Sequence, residues 1–106
     1  MAQLNITKAN LMDNIKALEE LGFKRWTKGS MDRMYINACD LGLDADSRTF
    51  KGEKISGSIC QSMKSAKTYI DLNSYMVISD NCDLAYEVAD MLGLDLVGGR
   101  CKYEIA

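Results

Sequence analysis

From Leu11 the apolar residues return at Ile15 and Leu18, with Met12 and Leu21 widening the stripe, which is the spacing of a helix with one buried face. Thr7 stands where a hydroxyl can accept a free N–H of the first turn, and Gly22-Phe23 where a left-handed residue and an apolar contact end it. This predicts a helix over 8–21. The period then changes to two. Residues 23–27 and 31–38 alternate as strands about a Lys28-Gly29-Ser30 connection, with Met34, Ile36 and Ala38 on one face and Arg33, Tyr35 and Asn37 on the other.

Residues 41–56 read as irregular structure, broken by a short strand near 48–50, a Lys51-Gly52 turn and a return over 53–55. Ser56 or Ser58 caps a short helix whose buried side is read as Ile59, Met63 and Ala66. A second hairpin follows: Thr68, Ile70 and Leu72 alternate against Tyr69 and Asp71, Asn73-Ser74 turns, and Tyr75, Val77 and Ser79 alternate against Met76 and Ile78. Asp80 or Asn81 caps a final helix with the stripe Leu84, Val88, Met91 and Leu92, stopped by Gly93. Residues 94–97 form one more strand, and 98–106, opened by Gly98-Gly99, read as an edge strand or a mobile tail. Two echoes, RMYIN with KTYID and ALEELGF with ADMLGL, fit either a duplication or the same local chemistry used twice. Hairpin links dominate, so the expected fold is α+β: one domain over 1–106, a mainly antiparallel sheet, and two main helices plus one short helix on one face.

Composition narrows the chemistry. A chain of 106 residues with 47% hydrophobic and 26% charged positions supports one core without metal or disulfide. Histidine is absent, which removes the commonest general base, metal ligand and partner of a nucleophile. Cys39, Cys60, Cys82 and Cys101 contain no C-x-x-C pair and are read as reduced thiols in a core. The D-A-D of residues 44–46 lacks the rest of a calcium loop, and no phosphate-binding glycine motif occurs. No reactive constellation is found, so no enzyme, no metal and no cofactor is expected. No apolar run is long enough for a membrane span and residues 1–14 carry no signal-peptide core, so a cytoplasmic location and no membrane partner are expected.

Net charge is only −2, yet it is unevenly spread. Residues 24–67 hold nine Lys or Arg against five acids, whereas residues 68–106 hold two against seven. Lys24, Arg25, Trp26, Lys28, Arg33 and Tyr35 on the first hairpin combine cations with rings and form the candidate partner-binding site. Trp26 alternates with Lys24 and Lys28, so either the ring is exposed or the lysines start on a buried face. Asp83, Glu87 and Asp90, with Asp80, follow helical spacing and form a second, acidic patch.

The run KRWTKGSMDRMYINACDLGL followed by KTYIDLNSYMVISD resembles short accessory proteins of bacteriophages and other mobile elements. That resemblance, over about residues 8–92, implies stoichiometric action on a host target, anti-CRISPR proteins being one such group; it carries no residue roles. The expected function is a non-catalytic protein that docks on a macromolecule, in its most specific form an inhibitor of a bacterial defence or host protein. A protein is the first expected partner. A nucleic-acid-binding module using residues 24–37 is the alternative, and pairing of two copies through sheet edges is left open.

Overall fold

The computed structural model describes residues 4–106. Thr7 and Asn10 close the first turn reciprocally: the Asn10 N–H donates to Thr7 Oγ1 at 3.3 Å and the Thr7 N–H to Asn10 Oδ1 at 2.7 Å. The helix predicted over 8–21 is regular only in part, a 3-10 turn at Met12–Asn14 leading into α1, Ile15–Glu20. Asparagine explains the shortfall, because the Asn14 side chain donates to the Asn10 carbonyl and the Asn10 side chain to that of Asn5, in place of helical bonding. At the far end the Phe23 N–H reaches the Leu18 carbonyl and the Gly22 N–H that of Glu19, with Gly22 at φ 110°.

The first hairpin forms as expected from β1, Lys24–Lys28, and β2, Met31–Asn37, around Gly29-Ser30. An excursion follows: β3 (Leu43–Asp44), β4 (Thr49–Phe50) and β5 (Glu53–Lys54) make a small antiparallel sheet of their own, joined at one end by the predicted Lys51-Gly52 turn. Helix α2, Gly57–Lys64, is capped by Ser56 Oγ, which accepts the Ile59 N–H at 3.2 Å. Its buried side is Cys60 and Met63; Ile59, predicted inward, is 43% exposed, since three residues to Met63 and three more to Ala66 leave room on that face for Cys60 and not for Ile59. The second hairpin is β6 (Lys67–Asp71) and β7 (Met76–Ser79), then α3 (Cys82–Leu92) with Asn81 as its cap, β8 (Leu96–Val97) and β9 (Lys102–Ile105).

The main sheet has six strands in the order β1-β2-β6-β7-β9-β8, every pair antiparallel. Residues 102–105, read as an edge strand or a mobile tail, are an interior strand between β7 and β8, with Tyr103 and Ile105 buried. One core joins Leu18 of α1, Cys60 and Met63 of α2, and Leu84, Val88 and Leu92 of α3 to one face of the sheet, at Met34, Ile36, Ile70, Val77, Tyr103 and Ile105. The fold is α+β with its helices on one face, as the hairpin pattern predicts.

The cysteines depart from expectation. Cys82, the first residue of α3, is disulfide-bonded to Cys101, just before β9, while Cys60 is buried and free and Cys39 is exposed and free. A spacing of 19 residues gave no hint, because β9 returns to the sheet beside β7 and so brings residue 101 back to the start of α3.

Candidate functional site

Residues directly opposite in an antiparallel ladder share a face. With one face of the sheet buried under helices, the register therefore defines the other. One row crosses all six strands as Trp26, Arg33, Asp71, Met76, Glu104 and Val97. The next crosses five strands as Lys24, Tyr35, Tyr69, Ile78 and Lys102. Lys28 with Met31 and Asn37 with Lys67 flank them. None of these residues belongs to the buried core, and no helix among the described residues packs on them. The rings are half-buried.

Their side chains form a chain of ring and cation contacts. The Arg33 guanidinium lies 5.9 Å from the Trp26 ring centre and 5.6 Å from that of Tyr69. Tyr69 and Tyr35 are 5.9 Å apart, and the Lys67 ammonium sits 5.0 Å above the Tyr35 ring. Arg33 uses its Nε on Asp71 at 3.2 Å, and its terminal nitrogens make no hydrogen bond among the described residues. Partial burial alone would raise the Asp71 carboxyl, but the N–H groups of Ser74 and Asn73 and the Arg33 guanidinium outweigh it and hold the carboxyl below the usual aspartate range. Asp71 is thus occupied by its own turn and by Arg33. Lys24, Lys28, Lys67 and Lys102 have no carboxylate within ion-pair distance among the described residues.

Of the six residues predicted on the first hairpin, Lys24, Trp26, Lys28, Arg33 and Tyr35 come together on this face. Trp26 is half-buried on this face with Lys24 and Lys28 exposed beside it, so the lysines do not start on the core side. Arg25 does not join them. It alternates to the helix side, opposite Met34, and holds Asp32 in a two-point bond of 2.7 and 2.8 Å. Hydrogen bonding to Asp32 raises the Arg25 guanidinium above its ordinary value, and the same bond lowers the Asp32 carboxyl. Sequence reasoning missed Tyr69, Lys67, Met76, Ile78 and Lys102. The signal was present in the KTYID echo of RMYIN, which is a pair of neighbouring strands with Tyr35 opposite Tyr69.

The acidic patch lies elsewhere. Asp83, Glu87 and Asp90 occupy the outer side of α3, opposite Leu84 and Val88, so they point away from the sheet. Glu87 is ion-paired with Lys51 of the small sheet, and Asp80 is drawn off to the Lys67 N–H. The two charged surfaces face apart. No protein-family model matches the chain, and no curated protein or solved structure matches it either. What the face does must therefore be read from its own side chains. Among the described residues no three Cys, Asp or Glu converge as metal ligands do, and no helix is long and apolar enough to cross a membrane.

Proposed function

We propose that this is a non-catalytic binding protein that acts by stoichiometric docking of its open sheet face on another macromolecule. The observation that carries the reading is the uncovered face itself. Among the described residues no element covers the half-buried Trp26, Tyr35, Tyr69, Met76 and Ile78, and a contiguous set of large apolar side chains left open on a sheet is a common mark of an interaction surface. Large rings held in place by neighbours lose little side-chain freedom on binding, which makes them effective anchors. The likeness over about residues 8–92 to mobile-element accessory proteins supports the more specific form, an inhibitor of a bacterial defence or host protein, and the lack of a long apolar run in the sequence is consistent with action in the cytoplasm. A second reading, a nucleic-acid-binding module, is favoured by one observation: the rings and the unpaired lysines share a face.

The test is capture from a bacterial lysate by the tagged protein, with and without nuclease, run beside Tyr35→Ala/Tyr69→Ala and a Lys54→Gln/Lys64→Gln control. Docking through the face predicts a target retained by the control and lost by the tyrosine variant. Equal capture by the wild type and the folded tyrosine variant refutes it.

A further inference from the structure

Resting on the reading of the open face as the docking surface, we propose that its occupant is single-stranded nucleic acid lying across the strands. Charge complementarity points there. The molecule as a whole is slightly acidic, yet this face carries Lys24, Lys28, Arg33, Lys67 and Lys102 against Asp71 and Glu104, with Asp80 opposite Lys67 and Asp95 before Val97 at its margins. Asp71 and Arg33 are paired with each other, which leaves the four lysines against Glu104 and the two marginal carboxylates. The carboxylates of α3 point the opposite way, so the molecule presents a positive side to a polyanion and turns its negative side to solvent.

Ring placement selects a single strand over a duplex. Tyr35 and Tyr69 sit opposite each other at the centre of adjacent strands, with Trp26 in the neighbouring row beyond Arg33. Sheet-borne rings of this kind can stack bases, and only unpaired bases expose their faces. Strands stand about 4.8 Å apart, so the row from Lys24 to Lys102 spans roughly 19 Å with a lysine at each end and rings between. That is room for about two or three stacked bases, as on other sheet platforms. The unspent terminal nitrogens of Arg33 lie between the rings, where a phosphate or base edge would pass. An acidic protein segment would satisfy the lysines but would leave the faces of Tyr35 and Tyr69 without stacking partners.

Fluorescence anisotropy with labelled ten-nucleotide single-stranded DNA, single-stranded RNA and the duplex of the same sequence tests this across a salt series. The expected result is binding of at least one single strand in preference to the duplex. Tyr35→Ala or Tyr69→Ala weakens it by about fivefold to a hundredfold. Lys24→Gln/Lys67→Gln lowers the salt slope by about 1.4, and Lys54→Gln/Lys64→Gln, off the face, leaves affinity unchanged. Circular dichroism confirms that each variant is folded, and the lysine variants report even if a tyrosine variant is not. The inference is overturned if neither single strand binds at low salt, if the duplex binds equally well, or if both lysine pairs matter equally. Oligonucleotide silence combined with a protein captured from lysate by the wild type and lost with the tyrosine variant overturns the nucleic-acid assignment alone. Indifference of both assays to the face variants removes the docking surface as well.

Discussion

Breaking the Cys82–Cys101 bond removes a cross-link that closes a loop of 19 residues running through α3 and β8. In the loop-entropy treatment a closure of that length restricts the unfolded chain enough to contribute about 3 kcal/mol to stability at 25 °C. For a domain of this size each kcal/mol shifts the melting temperature by roughly 4–8 °C, so Cys82→Ser/Cys101→Ser melts roughly 12–24 °C lower than the oxidised wild type. Reduced wild type should coincide with the variant, because Cys39 and Cys60 are already free. The assay is thermal melting by circular dichroism with and without reductant, preceded by thiol titration of the denatured oxidised protein, which should find the two free thiols and no more. Titration of all four thiols would show that the bond does not form. Oxidised and reduced melts within about 2 °C of each other would show that the loop is already restricted in the unfolded chain, and the entropic reasoning would fail.

Ser79→Ala should cost about 1–3 kcal/mol in a urea midpoint, because Ser79 Oγ lies 2.9 Å from the fully buried Thr68 hydroxyl and 2.6 Å from the Asn81 carbonyl; Thr68→Val/Ser79→Ala should cost less than the two single changes together, and simple additivity would contradict this. Gly93→Ala places a Cβ 2.5 Å from the Leu4 carbonyl oxygen at a φ of 70°, so a loss of at least about 1 kcal/mol is expected, and an unchanged midpoint would mean that residues 4–6 do not hold their place against the end of α3. Asp71 titrates below its ordinary range when folded, so its contribution is complete above about pH 4 and fades as pH falls through the lowered value. The stability gap between wild type and Asp71→Ala should therefore narrow as pH falls below about 4; a gap that stays constant on acidification would refute the assignment.

Local rules carried much of the fold. ALEELGF and ADMLGL resemble each other because both end a helix the same way, with Leu94 donating to Ala89 as Phe23 donates to Leu18. Alternation placed Met34, Ile36, Thr68, Ile70 and Val77 inward, and it also placed Arg25 opposite Trp26, a consequence that grouping by charge along the sequence concealed. What was not legible depends on partners far along the chain. Two-residue strands such as β3 have no period to detect, and Lys102–Ile105 alternates equally well at a margin or inside a sheet, so only its pairing with both β7 and β8 settles its place. The candidate site was half visible because its first hairpin is contiguous, whereas Tyr69 arrives by pairing with Tyr35, far back along the chain, and Ile78 and Lys102 follow from it strand by strand.

The ordering of strands also determines how one copy meets another. One margin of the sheet is β8, two residues long, which offers too few backbone groups for a neighbour to extend. The opposite margin is β1, where three of five side chains are cations, so a second copy aligned there would bring like charges together. Growth of the sheet from molecule to molecule is opposed at both ends, and that opposition is weakest in concentrated salt, where the lysines are screened.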